Sequence, residues 1–215
     1  MYILYGGRFT RSLMVEMVLA EGGLAYEHRE IDIDKDEHRA PDFLAVNPAG
    51  LVPALITPEG ETLTETPAIN LTLAERHGLR QLAPGPEEPE RGRFLSALFF
   101  LTDELEPALK RHFYPQRYVL REEDAPAMAQ RAMDDALARF ALIEGQLGDD
   151  PERPYHLGAR YSLADLTLAY WAISLELDAA AFPAIDRCSQ LVAARPALGP
   201  LFARLAEEMA EYTEE

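Results

Sequence analysis

The spacing of hydrophobic and polar residues divides this 215-residue chain into two parts. In the first part, short apolar or alternating runs typical of strands are interleaved with stripes in which apolar side chains recur every three or four positions, as in helices. In the second part, only helical stripes recur. The pattern therefore predicts an α/β domain followed by an all-α domain.

The first part predicts strands and helices in the order β-α-β-β-β-α, which is that of a thioredoxin-like unit. A glycine pair ends the first helix, and Pro58-Glu59-Gly60 is a turn signal between the last two strands. The strands are predicted at Tyr2–Tyr5, Tyr26–Ile33, Val52–Ile56 and Thr62–Leu63, and the helices at Ser12–Glu21 and Pro67–His77.

A boundary follows at Pro84–Pro89, where three prolines and a glycine can continue neither a helix nor a strand ladder. We therefore expect a first domain at residues 1–80, a linker at 81–91 and an all-helical domain at 92–215. Helical stripes beyond the boundary are at Gly92–Arg111, Asp124–Leu147 and Ser162–Leu177, with shorter ones around Cys188 and after Pro200.

The composition narrows the possible partners. The chain has 37 acidic and 20 basic residues, a formal charge of −17, which argues against nucleic acid and anionic membranes as partners. The single cysteine, the start without a basic-then-apolar leader and the lack of an apolar run long enough to span a bilayer predict a cytoplasmic protein. The five histidines have no metal-ligand spacing, so we expect no metal.

The most informative segments of the chain are those around two prolines, Pro53 and Pro67. We expect a cis bond before Pro53, which would leave the backbone N–H and C=O of Val52 free to pair with an extended ligand. Thr66 is expected to cap a helix that starts at Pro67 and attracts a carboxylate, while Glu65 would attract an ammonium group. Together these groups suit a zwitterionic amino-acid head on an extended peptide, which matches glutathione.

Three segments carry a resemblance to a known family. Asn47–Leu55 resembles the N-P-x-G-x-V-P-x-L segment of cytosolic glutathione S-transferases, and Glu65–Ile69 resembles their E-[ST]-x-A-I turn. Tyr161–Leu166 is similar to the S-x-A-D box of their helical domain. The chain is thus identified as a bacterial member whose class stays open. The resemblance implies a transferase that activates the glutathione thiolate for attack on an apolar electrophile, and a homodimer.

The resemblance also implies where the thiol is activated, in the loop Gly6–Ser12. Tyr5 stands where tyrosine-type classes carry their phenol, and Phe9 stands where serine-type classes carry their hydroxyl, unless the loop is shifted by one and Thr10 serves. Thr10 and Tyr5 are equal candidates, Ser12 is the third, and Arg11 is expected to support the thiolate electrostatically. The loop has no cysteine, which excludes a mixed disulfide formed there.

The binding residues implied for glutathione come from several segments. Leu51 replaces the polar residue usual in the family, and either His38 or Arg39 is expected to compensate for it. Asp103 is expected to reach the ligand's ammonium group across the dimer, whose interface would use the aromatic residues Phe94, Phe99 and Phe100. The full set is Leu51, Val52, Pro53, Glu65, Thr66, His38 and Asp103.

Two further points remain from the sequence. Ser162 and Asp165 predict an acidic capping box with a folding role and no histidine beside it.

The function itself has two alternatives, namely glutathione-dependent reduction of a disulfide or peroxide at the same site, and a non-catalytic scaffold. Leu51 and Phe9 favour the scaffold, whereas the intact Val52-Pro53 and Glu65-Thr66 pairs favour an enzyme.

Overall fold

The computed structural model describes residues 1–214, and its contacts group them into two compact units. One unit comprises Met1–Ala83 together with the segment from Leu191 onward, and the other comprises Pro84–Gln190. The expected limits at residues 80, 91 and 215 stay a prediction, since the last segment groups here with the first unit.

Within the described residues, the first unit holds a four-stranded sheet in the order β2-β1-β3-β4. Strand β1 is parallel to β2 and antiparallel to β3, and β4 is antiparallel to β3. The strands are β1 (Tyr2–Gly6), β2 (Tyr26–Glu30), β3 (Ala54–Ile56) and β4 (Thr62–Thr64), and the helices among them are α1 (Ser12–Glu21), α2 (Pro41–Leu44) and α3 (Thr66–Arg76). The predicted order of elements is confirmed.

The two faces of the sheet are covered differently. Helices α1 and α3 pack against each other, and apolar residues such as Met14 and Ile69 are fully buried there. On another part of the sheet, Ile31, Phe43, Val52 and Ala54 form a separate buried cluster. The apolar stripe predicted for α1 is buried as expected, since its members Leu13, Met14, Met17 and Val18 are all among the core residues.

Strand β2 is shorter than predicted, and a turn explains why. The prediction ran to Ile33, but the Ile31 N–H donates to the Gly6 carbonyl at 2.7 Å and pairing stops there. The Asp32 carboxylate then accepts the N–H groups of Asp34 and Lys35, which forms a turn. Aspartate competes with strand pairing in this way because its short side chain bonds to its own backbone.

Ion pairs fasten the last helix, α9 (Gly199–Glu214), to α1. Arg204 pairs with the buried Glu16 at 2.7 Å, and Arg195, which precedes α9, pairs with Glu21 at 2.6 Å. The Tyr26 hydroxyl also donates to Glu16 at 2.9 Å. Burial, together with the negative charge of Glu16, raises the pKa of Tyr26 to about 12.

The second unit is helical, as the stripes predict. Its helices are α4 (Arg91–Phe99), α5 (Glu106–Phe113), α6 (Ala125–Leu147), α7 (Leu163–Ser174) and α8 (Pro183–Ala193), the last of which extends past the unit's end. The predicted helix Gly92–Arg111 is interrupted by a π-helical segment at Phe100–Leu105. Pro107 follows that segment and has no N–H to donate to a carbonyl of the preceding turn, which accounts for the irregular bonding.

The aromatic residues expected at a dimer interface do not all lie on the surface. Phe94 is fully buried in its own chain, whereas Phe99 is exposed. Phe94 therefore cannot form part of a dimer interface, and its predicted place there is wrong. No helix in residues 1–214 is both long and apolar enough to cross a membrane.

Candidate functional site

The sheet topology brings three of the predicted segments to one edge. Ala54 pairs with Tyr5 on one side and with Thr64 on the other. Because these pairs are antiparallel, the end of β1, the start of β3 and the end of β4 lie side by side. The loop after β1, the Val52-Pro53 bond and the Glu65-Thr66 turn therefore belong to the same edge of the sheet.

In the loop after β1, the Thr10 hydroxyl folds back onto Gly7. It donates to the Gly7 carbonyl at 2.7 Å and accepts the Gly7 N–H at 3.2 Å. Its oxygen is also 2.7 Å from the Ser12 hydroxyl. Phe9, the residue before it, has a φ of 51°, a left-handed conformation that is uncommon outside glycine and recurs at functional sites. Thr10 therefore supplies a fixed and partly exposed hydroxyl.

Ser12 is enclosed, in contrast to Thr10. Its side chain is 1% exposed and sits directly on Gly6, where a Cβ would overlap the Cβ and Oγ of Ser12. Only glycine leaves room for this contact. Ser12 thus lies next to the site without reaching a ligand surface, and the glycine pair Gly6-Gly7 was the sequence signal for this close approach. Arg11 is half-buried immediately before α1, and its carbonyl accepts the Met14 N–H.

Tyr5 does not share this location. Successive residues of a strand point to opposite faces, and Gly6 faces α1, so Tyr5 faces the other way. Its ring is 5.8 Å from that of Phe43, and its hydroxyl accepts a hydrogen bond from Arg29 at 2.8 Å. The structure thus brings Thr10 and Ser12 together and leaves Tyr5 on the opposite face. The sequence did not predict the Arg29 contact, because Arg29 lies opposite Tyr5 only through the register in which β1 and β2 pair.

The Val52–Pro53 peptide bond is cis, which confirms the expectation. Asn47 Nδ2 donates to the Leu51 carbonyl at 2.7 Å and holds this segment, while the Leu51 side chain is 50% exposed. Neither the N–H nor the C=O of Val52 has a backbone partner among residues 1–214. An extended chain could pair with both groups, as in strand addition.

The Glu65-Thr66 turn differs from the expectation in one respect. Glu65, and not Thr66, is the residue before α3, and Thr66 is the first helical residue with Pro67 second. The helix starts one residue early because Glu65 takes the unusual backbone φ of 65°. As a result, the Thr66 hydroxyl does not cap the helix. It is buried, with the residue 3% exposed, and has no partner in the described part of the chain.

His38 and Arg39 lie in a short 3-10 helix, Glu37–Arg39, against the cis-proline segment. A Cβ on Gly50, which has a φ of +60°, would be 2.9 Å from Arg39 Nη1 and 3.0 Å from the His38 carbonyl oxygen. The His38 Nδ1 atom is buried and has no partner within residues 1–214. The glycine before Leu51 thus lets the Arg39 guanidinium and the His38 backbone approach the segment.

Asp103 belongs to the second unit, where it is exposed in the π-helical segment. Thr102 Oγ1 is 3.3 Å from its Oδ1 atom. The expected approach of Asp103 to a ligand across a dimer stays a prediction.

The capping box at Ser162 and Asp165 is confirmed, with one correction. Asp165 accepts the Ser162 N–H and hydroxyl, each at 2.8 Å. A histidine does accompany it, because His156 Nδ1 is 2.8 Å from Asp165 Oδ1, brought there by a loop that the sequence spacing did not reveal. Burial raises the pKa of the neighbouring Cys188 thiol well above its usual range. The whole cluster is buried and therefore serves the fold.

No group of three or more histidine, cysteine, aspartate or glutamate side chains in the described chain is arranged to hold a metal ion.

Comparison with known proteins identifies the family of this chain. The family described as glutathione S-transferase, N-terminal domain, matches residues 10–76. A maleylacetoacetate isomerase of Pseudomonas aeruginosa is 33% identical over 198 residues, which cover 88% of this chain and 90% of that protein. This chain belongs to the cytosolic glutathione S-transferase family. The predicted family and fold, a thioredoxin-like domain followed by a helical region, are confirmed.

Two further relatives of this glutathione S-transferase family member are informative. The disulfide-bond oxidoreductase YfcG of Escherichia coli is 26% identical over 208 residues, covering 92% of this chain and 93% of that protein. A glutathione transferase homologue from Sulfitobacter, solved with bound glutathione, has a TM-score of 0.83 and 27% identity, with 95% of this chain and 98% of that chain covered. Relatives of the same fold thus carry different activities.

Proposed function

We propose that this protein binds glutathione at the edge of its sheet and stabilises the glutathione thiolate for attack on a small apolar electrophile. The observation that carries the proposal is the buried Thr66 hydroxyl, which has no partner among residues 1–214 and belongs to the same edge of the sheet as the open Val52 backbone. A buried polar group without a partner is costly, so a ligand that satisfies it gains that free energy on binding.

Each part of glutathione has a matching group. The Val52 N–H and C=O pair with the cysteinyl backbone next to Pro53. The Thr66 hydroxyl and the N-terminus of α3 bind the α-carboxylate of the γ-glutamyl residue, and Glu65 binds its ammonium group. These contacts leave the thiol pointing toward the loop after β1, where Thr10 donates to it.

The glycine end of the ligand is bound by a less usual set. Leu51 carries no polar atom on its side chain, and its carbonyl is already bonded to Asn47. Arg39 beside Gly50 supplies positive charge for the glycine carboxylate, and His38, whose buried Nδ1 has no partner among residues 1–214, lies in the same short helix. The bound glutathione of the Sulfitobacter homologue supports this assignment of the ligand.

Titration calorimetry with glutathione tests the proposal. We expect saturable binding of glutathione and at least about 100-fold weaker binding of cysteinylglycine, because that dipeptide lacks the γ-glutamyl head and forfeits two charge-assisted contacts of roughly 1.5–3 kcal/mol each. Equal affinity for both peptides would contradict the roles of Glu65 and Thr66. Absence of any glutathione binding would overturn the proposal as a whole.

The substrate that the protein turns over then distinguishes a transfer reaction from a reduction. An aromatic halide tests transfer, and a mixed disulfide of glutathione tests reduction, which the relative named a disulfide-bond oxidoreductase favours as the second candidate. In a reduction, the sulfur of glutathione itself must attack, because Cys188 is buried with a raised pKa. Binding without turnover of either substrate would favour the non-catalytic scaffold.

The proposal also covers the cellular location and the assembly of the protein. We assign the protein to the cytoplasm, as a homodimer in which Asp103 of one chain reaches the ammonium group of glutathione on the other. Light scattering at micromolar concentration tests the dimer, and a monomer mass would remove Asp103 from the site.

A further inference from the structure

We propose that Ser12 is a positioning residue that orients and polarises the Thr10 hydroxyl, and that Thr10 alone contacts the thiolate. This inference rests on the proposed function, since it concerns how the same loop activates the thiol. It also resolves the three candidate hydroxyls into distinct roles.

Burial separates the two hydroxyls. Ser12 is 1% exposed, packs against Gly6 and already shares a 2.7 Å hydrogen bond with Thr10, so its hydroxyl is occupied within the protein. Thr10 is partly exposed. Tyr5, on the other face of the sheet, is bonded to Arg29 and takes no part.

The proton count assigns the direction of the bond between the hydroxyls. Each hydroxyl has one proton. The Thr10 oxygen is 2.7 Å from the Gly7 carbonyl, whereas the Ser12 oxygen is 3.4 Å from the same carbonyl. We therefore assign the Thr10 proton to Gly7 and the 2.7 Å contact between the hydroxyls to donation by Ser12. The Thr10 oxygen also accepts the N–H of Gly7 at 3.2 Å. Its lone pairs are thus occupied by donors from the protein.

This arrangement favours donation to a thiolate. When a thiolate arrives, the Thr10 proton turns from the Gly7 carbonyl to the sulfur, while Ser12 and the Gly7 N–H remain on the Thr10 oxygen. A hydroxyl that accepts hydrogen bonds is a stronger donor, because successive bonds polarise one another by roughly 10–30% each. The Ser12 bond also prevents Thr10 from rotating away from the sulfur.

The expected sizes follow from these bonds. Removing the Thr10 hydroxyl takes away one hydrogen bond to a charged group, which raises the pKa of the bound thiol by about 1 to 2. Removing the Ser12 hydroxyl should raise that pKa by about 0.3 to 0.7. This is the upper end of what the loss of polarisation alone would give, because Thr10 also loses its fixed orientation.

The test measures the pKa of the bound thiol from thiolate ultraviolet absorbance across pH, in protein saturated with glutathione. The variants are Thr10→Val, Ser12→Ala and the double variant, with Thr62→Val on exposed β4 as the matched hydroxyl-removing control. Calorimetry on each variant first verifies that glutathione binds. If Ser12→Ala does not fold, Ser12→Gly removes the same hydroxyl.

We expect the double variant to have the same thiol pKa as Thr10→Val, since Ser12 acts only through Thr10. The control should match the wild-type protein. Additive shifts in the double variant, or a Ser12→Ala value within about 0.1 of the wild type, would overturn the inference while glutathione binding stands. A wild-type protein that does not bind glutathione in calorimetry contradicts the proposed function instead.

Discussion

Replacing Thr66 by valine should change ligand affinity and protein stability in opposite directions. Valine has nearly the shape of threonine and removes only the hydroxyl. This hydroxyl is buried with no partner among the described residues, so its loss removes a desolvation penalty of about 1–3 kcal/mol. The melting temperature of the variant should therefore stay the same or rise, by roughly 2–4 °C per kcal/mol for a chain of this size.

The same change should weaken glutathione binding. A hydroxyl that donates to a carboxylate contributes about 1.5–3 kcal/mol, so its loss should raise Kd by roughly 10- to 140-fold. Calorimetric titration gives Kd, and differential scanning calorimetry gives the melting temperature on the same samples. Thr66→Ser, which keeps the hydroxyl, should retain most of the affinity, and Thr64→Val on exposed β4 is the matched control.

Two results would refute this reasoning. If Thr66→Val binds glutathione like the wild-type protein, the ligand lies elsewhere and the unsatisfied hydroxyl has another cause. If the variant instead loses more than about 1 kcal/mol of stability, the hydroxyl has a partner in the folded protein, and its role is structural.

Three other changes have defined outcomes. Glu65→Gln should raise the Kd for glutathione at least about 10-fold, measured by calorimetry, because it removes the ammonium partner, whereas the exposed Glu59→Gln on the same hairpin should not. Tyr5→Phe should leave the pKa of the bound thiol unchanged in ultraviolet titration; a rise would return Tyr5 to the thiolate. Tyr26 has a folded pKa of about 12 against an unfolded value of about 10, so its contribution is complete below pH 10 and is lost as pH rises toward 12. Denaturant unfolding across that range should show a steeper loss of stability in wild type than in Tyr26→Phe, and equal slopes would contradict the assigned environment.

The fold was predictable from the sequence where local signals and burial agree. Helix α1 lies at Ser12–Glu21 as its apolar stripe predicts, because a glycine pair ends it and its apolar residues meet the sheet. The Ser162 capping box was equally readable, because all its partners lie within one helical turn. Local patterns of this kind need no knowledge of the rest of the chain.

Features that depend on distant residues were not predictable. The histidine beside Asp165 comes from a loop nine positions earlier, and the sequence contains no spacing rule for that contact. Helix α3 starts one residue earlier than predicted because Glu65 adopts a positive φ. Glycine and asparagine adopt this conformation much more often than glutamate, so the sequence contained no sign of it. The orientation of Tyr5 required the register of β1, since a shift by one residue would have placed its ring on the other face.

The displaced start of α3 connects the fold to the candidate site. Had Thr66 capped the helix, its hydroxyl would have been occupied by a backbone N–H, and a ligand carboxylate would have had to displace that bond. With Glu65 in the capping position, no side-chain cap forms, and the Thr66 hydroxyl has no partner in the part of the chain that the structure describes. The unusual backbone at Glu65 thus costs local conformational energy, and under the proposed function that strain preorganises the site for the ligand carboxylate.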